Sequence, residues 1–422
     1  MSTLTRRHFL QTSAAAAATF AIARNTGAQA NELVRVGVIG CRNRGPQVAE
    51  AMLQAGGFEI AALADCDTRM LDQGYRALRR KLENKPKMEQ DFRRLLEDPD
   101  IDAIVIATPD FWHAAMAILA LDAGKHVYLE KPATYNIDEG RAILKKHSER
   151  QSQTMCMGTQ QRSGPHFQEA AAFVQEGNLG KVAFCRTWIT HTRDIVPKVP
   201  DSEPPAGLDY EMWVGPAPFR PYNEETTHYN WHFIKPWGTG EMGNWGAHWI
   251  DVARWYLKLD YPTAVSGTGG TYVTHDAKEW PDTQTVMYEF PELTLLWEQR
   301  LWTSYGINDM GGGVELDGEK GSLTINRGGW TFFPREGDPQ KHDGSELMIP
   351  HVANFAKAVK GLDPPAATME EGHKTATLCH LGNITATLNR RVQFDPEQGI
   401  VGDEEAANLL RRKYREPWKG LV

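Results

Sequence analysis

The chain of 422 residues carries a formal net charge of −8, with 41% hydrophobic and 24% charged residues. That length holds two or three domains; the composition excludes long disorder and a membrane bundle, and the acidic balance argues against nucleic-acid or anionic-membrane partners. Five cysteines with no C-x-x-C pair exclude a disulfide scaffold and a zinc ribbon.

The first thirty residues read as an address. Arg6 and Arg7 stand in T-R-R-H-F-L, a soft apolar run follows from Ser13 to Ala23, and Ala28-Gln29-Ala30 forms an A-x-A cleavage signature. The run is about half of the roughly 20 residues that a bilayer crossing needs. This order of features predicts a twin-arginine export signal cut after Ala30, hence contact with the export machinery, a periplasmic or extracytoplasmic location and no lasting membrane insertion. The alternative is an alanine-rich, unstructured N-terminus. Cleavage removes Arg6, Arg7 and Arg24 and no acid, leaving 43 basic and 54 acidic residues and a net charge of −11.

Leu33 to Ile39 is a short β-rich apolar run, read as a buried parallel strand. Gly40-Cys41-Arg42-Asn43-Arg44-Gly45 follows, then a helical pattern from Pro46 to Ala55 and a second strand, Phe58 to Ala64, ending at Asp65. Strand, glycine turn, helix, strand and terminal acid form a dinucleotide-binding fingerprint, in which helical N–H groups meet a pyrophosphate and the acid meets a ribose. Arg42 departs from it, standing where the second glycine belongs; its side chain must turn outward or join the phosphate contacts. Strands Ala103–Ala107, His126–Leu129 and Thr154–Met157 then alternate with helices ending near Gly124 and Glu149. Alternation of this kind predicts a doubly wound parallel sheet with ligands at the carboxyl ends of its strands. The polar motifs TPDFWH, EKP and GTQQR all fall there.

At these residues the chain resembles the Gfo/Idh/MocA oxidoreductases, and its wording is most similar to their exported bacterial branch. The resemblance rests on GVIG-C-R-N-R-G with Asp65, on Ala107-Thr108-Pro109 with His113, on Glu130-Lys131-Pro132, and on Gly240-x-x-x-Asn244-x-Gly246-x-His248-x-x-Asp251. It implies a Rossmann-type domain over 31–158, an α+β substrate domain with a large, mostly antiparallel sheet over 159–391, and a tail, 392–422, packing on the body. It also implies a nicotinamide cofactor held by Gly40, Arg42, Asn43, Arg44, Gly45, Asp65, Thr108, Pro109, His113, Glu130, Lys131 and Gln160. Asp65 favours NAD, since a 2′-phosphate would meet its carboxylate; Arg69 leaves NADP open. A homo-oligomer is expected from the open-faced sheets of the family.

From Lys181 the pattern changes to period-two strands, among them Lys181–His191, Pro262–Gly270, Thr283–Phe290 and Leu293–Leu301. A proline-rich span from Pro197 to Pro221 is either a long loop or an oligomer contact. Of thirteen tryptophans, ten lie between Trp188 and Trp302. Sheet packing explains most; Trp231, Trp237, Trp245 and Trp249 flank the glycine–histidine motif, where an indole suits the C–H face of a sugar ring. Tyr229 and His232 are further candidate substrate contacts. The helical segments His351–Lys360 and Thr368–Arg391 are expected to pack back on the first domain. Glu371, His373 and His380 suit one helix face but read as satisfied side chains, and no metal is expected.

Three residues are the candidates for chemistry. Lys131, after a parallel strand, can lower its pKa by burial and take or relay a hydroxyl proton. His248 is the second candidate base. Asn244 stands where the family has an aspartate, so it is expected to orient His248 without stabilising an imidazolium, or to bond substrate directly. Asp251 is equally open to a structural role. The expected reaction is hydride transfer at a hydroxyl-bearing carbon of a sugar, glycoside or cyclitol, with a cofactor loaded before export, tightly held and regenerated within the cycle. A redox-cycling glycosidase, lyase or epimerase is the alternative, and a non-catalytic sugar-binding protein a third reading.

Overall fold

The computed structural model describes residues 33–422; the expected export signal and cleavage site lie outside the described residues. The first sheet contains β1 (Val34–Ile39), β2 (Phe58–Ala64), β3 (Lys87–Glu89), β4 (Ala103–Ile106), β5 (His126–Leu129) and β6 (Met155–Met157). Their order is β3-β2-β1-β4-β5-β6, and every neighbouring pair is parallel. The central strands are buried on both faces because helices cover both, which is why they read as unbroken apolar runs. Sequence reading passed over β3, a short polar edge strand. The strand order reverses between β1 and β4, and this opens a crevice beyond their carboxyl ends.

The second sheet takes up β7 (Val182–Thr190), β8 (Ala264–Gly270), β9 (Thr283–Glu289), β10 (Thr294–Arg300), β11 (Gly312–Gly318), β12 (Gly321–Asn326), β13 (Gly329–Pro334), β14 (Gln340–Asp343), β15 (Val392–Asp395) and β16 (Gly399–Val401). They run in the order β14-β13-β12-β11-β7-β10-β9-β8-β15-β16, antiparallel except for the β7–β10 pair. Burial alternates strictly along β9 and β10, placing Val286, Tyr288, Leu295 and Trp297 on the covered face. The helices Ala247–Leu257 and Met369–Leu388 supply the cover, with Tyr288 Oη donating to Leu378 O at 2.9 Å.

Residues 392–422 are more than the expected tail. Val392, Phe394 and Ile400 are buried, so β15 and β16 complete the sheet edge beside β8. Only the remainder returns to the first domain, where Arg412 donates to Phe111 O at 2.7 Å and Trp418 meets Trp112 edge-on at 4.7 Å. The proline-rich span is a strap lying on the first domain: Thr68 N donates to Gly207 O, Asp209 N donates to Cys66 O, and Asp67 bridges Leu208. The helix Met348–Val359 packs on the helix Arg44–Ala55, stacking Phe355 against Phe58. No helix among the described residues is long and apolar enough to cross a membrane.

Candidate active site

A cleft opens where the crevice of the first sheet faces the second domain. Its floor begins at Gly40, whose φ is +94° and where a Cβ would stand 2.5 Å from Ala107 O. Only glycine lets the chain turn there. Asn43 and Arg44 line the cleft at the start of the helix Arg44–Ala55, and the Asn43 side chain does not cap it. Free first-turn N–H groups fit a pyrophosphate. Gly45 is not a lining residue, contrary to expectation. A Cβ there would lie 2.0 Å from Gly40 O, so this glycine serves the close approach of helix and turn.

Asp65 lines the cleft with each oxygen already engaged: Oδ2 accepts from Cys41 N at 2.7 Å and Oδ1 from Asp67 N at 3.0 Å. Burial pushes its carboxyl up to about 6 against those two backbone donors. Arg42 lines the cleft as well, with its guanidinium 5.4 Å from the centre of the Tyr229 ring.

Thr108 and Pro109 line the opposite wall. His113 does not reach the cleft; it is buried behind it, Nδ1 2.7 Å from Pro132 O and Nε2 3.1 Å from Thr108 O. Burial brings its imidazole down to about 4, so a neutral ring ties the TPDFWH and EKP loops together. Glu130 Oε1 accepts from Arg44 Nε at 2.7 Å, joining two cleft residues in one ion pair. Gln160 also lies outside the cleft. It lines a separate recess with Arg44 and Arg327.

Lys131 is the centre of the site. Its Nζ donates to Asn244 Oδ1 at 2.8 Å and to Asn244 O at 3.1 Å, and among the described residues no carboxylate lies within ion-pair distance. Withdrawal from water brings its ammonium down to about 8; Glu130 and Glu241 oppose the shift and Arg44 and Arg327 add to it. The other end of the Asn244 amide donates to Glu241 Oε2 at 3.2 Å. Asn244 therefore positions Lys131. The expectation that it orients His248 is overturned, because both ends of the amide are committed elsewhere.

His248 is buried outside the cleft proper, with Nε2 3.3 Å from Arg327 Nη2 and Nδ1 without a partner. Burial, then Arg327, Lys131 and Arg44, hold its imidazole far below the usual range. Asp251 pairs in buried, two-pronged fashion with Arg162 at 2.8 and 2.9 Å and accepts from Thr375, which makes it structural. Trp231 and His232 line the cleft, stacked 3.7 Å apart, and Tyr229 stands at its mouth. Burial lowers His232 to about 4. Trp245 and Trp249 face a different recess, beside Arg327 and His191, and Trp237 belongs to the core. Glu371 accepts from Arg162 and Arg254, His380 lies against Thr134, and His373 packs on Gly140.

Sequence reading missed two contributions. The strap supplies Met212 and Trp213 to the cleft, and the segment after it supplies His228, whose Nε2 lies 2.8 Å from the buried Asp67. Arg327 comes from the two-residue turn between β12 and β13; the string Asn326-Arg327-Gly328-Gly329 is the signal that could have marked it.

A model of the oxidoreductase family's NAD-binding Rossmann fold matches residues 34–158, and one of its C-terminal alpha/beta domain matches 177–287 and 345–420. The chain belongs to the Gfo/Idh/MocA oxidoreductase family. Its cofactor is accordingly NAD, and the crevice with Gly40, Asp65 and the free helix end fits that dinucleotide. Curated relatives include a glycosyl hydrolase family 109 protein of Shewanella pealeana, 35% identical over 30% of this chain and 28% of that protein. An alpha-N-acetylgalactosaminidase of Shewanella oneidensis is 30% identical over 37% of this chain and 40% of that protein. The chain thus matches less than half the length of either relative. A solved levoglucosan dehydrogenase complexed with NADH has the same fold, with a TM-score of 0.68 and 20% identity over 86% of this chain and 99% of that one. Within this family architecture, the EKP lysine and the glycine–histidine motif meet as Lys131 and Asn244 rather than Lys131 and His248.

Proposed function

We propose that this chain moves a hydride between NAD and a hydroxyl-bearing carbon of a sugar, glycoside or cyclitol, with Lys131 handling the hydroxyl proton. The carrying observation is a cleft lysine with no acid partner, held by Asn244 and brought down to about 8. Such a group exchanges a proton near neutral pH, where a general base works best. Bound NAD supplies the hydride acceptor. Trp231 and His232 offer a flat wall for the substrate, and Arg42 over Tyr229 narrows the mouth. The test is a panel of sugars labelled with deuterium at single carbons: transfer of label to the nicotinamide supports this reading, and no transfer from any sugar overturns it.

The second reading is a redox-neutral one, in which the substrate is oxidised, undergoes elimination or epimerisation, and receives its hydride back. The alpha-N-acetylgalactosaminidase relative favours it. Product analysis from one substrate without an added acceptor separates the two. Hydrolysis or epimerisation without net oxidation supports only the second.

Export belongs to the same proposal. A twin-arginine signal carries folded protein, and the periplasm offers no free nicotinamide pool, so NAD is loaded in the cytoplasm and kept. Protein recovered from the periplasm should begin at Asn31 and release bound nicotinamide nucleotide on denaturation. Protein that keeps residues 1–30, or comes out empty, would refute this part.

A further inference from the structure

Around Lys131 the cations outnumber the acids that pair with them. Glu130 is taken by Arg44 at 2.7 Å, and Glu241 by Arg193, whose Nε lies 2.6 Å and Nη2 2.5 Å from Oε1. Lys131 meets an amide rather than a carboxylate. Arg327 has no acid within ion-pair distance among the described residues; its guanidinium stands 5.0 Å from the Trp245 ring centre and 3.3 Å from His248 Nε2. Lys131 and Arg327, whose charge acts on Lys131, are therefore left without an acid partner among the described residues, and Arg42 is a further cation at the Tyr229 mouth of the cleft.

Arg327 is exposed and borders a recess of about 290 Å3, at the small end for ligand sites. The recess offers donors. Trp249 is 2% exposed and its Nε1 has no partner among the described residues, so a buried N–H borders the recess ready for an acceptor. Trp245 stacks on Trp249 and also lies under the Arg327 guanidinium, which is thereby placed over an aromatic platform. The short turn between β12 and β13 fixes its base, with Asn326 Oδ1 accepting from Gly328 N at 2.7 Å.

We infer that the substrate is an anionic sugar, with Arg327 receiving its negatively charged substituent in the Trp245–Trp249 recess while the hydroxyl to be oxidised faces Lys131. A planar carboxylate, as in a uronic acid, matches the guanidinium fork in two-pronged fashion; a phosphate or sulfate ester shares the charge without the planar fit. This deepens the carbohydrate reading above and rests on it. The net charge of −11 does not oppose it, since local charge and not total charge decides recognition at a cleft.

The test uses NAD-loaded enzyme and calorimetric titration with matched trios: glucose, glucuronate and glucose 6-phosphate, and the same three in the galactose series. A uronate should bind about 10- to 100-fold more tightly than its neutral partner, as expected for a charged two-pronged contact. In Arg327→Met that ratio should collapse to near one, while Arg327→Lys keeps part of it; thermal unfolding checks that both variants are folded. Equal or tighter binding of the neutral sugar, or an unchanged ratio in Arg327→Met, overturns the inference. Preference for the phosphate overturns the carboxylate assignment and leaves an anion site. If no sugar of any charge binds or transfers a hydride, the carbohydrate reading itself has failed.

Discussion

Asn244 Oδ1 accepts a hydrogen bond from Lys131 Nζ at 2.8 Å, across 113 positions of sequence and from one domain to the other. The bond fixes the one cleft lysine whose ammonium burial has loosened, and it does so without an ionic partner. A carboxylate at the same place would favour the charged form. The amide leaves the lysine free to give up its proton.

Lys131→Ala should therefore retain NAD and lose most turnover, about 10²- to 10⁴-fold, the usual share of a general acid–base group. Cofactor content by mass spectrometry, together with steady-state turnover, checks it. Near-normal turnover in this variant would remove Lys131 from the chemistry.

Substrate oxidation should also depend on pH through this lysine. The neutral amine is the base, so the rate rises with pH, with half its final value near pH 8, the value to which burial brings Lys131. Asn244→Asp places a negative charge against the ammonium and raises its pKa, moving the midpoint upward by roughly one unit or more. A pH profile of kcat for both proteins reads the shift; a midpoint that stays put would mean that another group titrates.

Asp251 belongs to the family motif yet is locked to Arg162 in the interior. Asp251→Ala leaves the buried Arg162 guanidinium with Glu371 as its remaining acid and should cost a few kcal/mol of stability, at or below the roughly 3–5 kcal/mol of a fully broken buried pair. Tm should fall by several degrees, with NAD content per folded molecule unchanged. Unaltered Tm combined with lost turnover would instead place Asp251 in the reaction.

Gly40→Ala forces a Cβ to within 2.5 Å of Ala107 O at a backbone angle that disfavours side chains. The turn must shift, and the helix end with it. Purified variant should carry much less NAD than the parent, measured by absorbance of released cofactor.

The first domain was legible because its signals are local. Apolar runs such as Val34–Ile39 and Ala103–Ile106, separated by helices, can only be parallel strands buried on both faces, and Gly40 followed by Asp65 marks the crevice. The site was legible in part. Thr108, Pro109, Glu130, Lys131, Tyr229, Trp231, His232 and Asn244 all reach the cleft, as their motifs implied. Gly45, His113, Gln160, Trp245 and His248 do not, because a motif gives spacing along the chain and not the direction of a side chain. His228, just past the strap, and Arg327, in a two-residue turn, stand outside the motifs that marked the site.

By itself, then, the sequence determined the architecture and the cofactor crevice and pointed to Lys131 for the proposed chemistry, since each rests on periodicity or on motifs within a few dozen residues. Only the tertiary structure decided which partner that lysine has and where the charges balance. Those answers depend on side chains brought together from distant parts of the chain, such as Lys131 with Asn244 and Arg327 with His248, whose energies come from burial and from electrostatics that fall off with distance through space rather than along sequence.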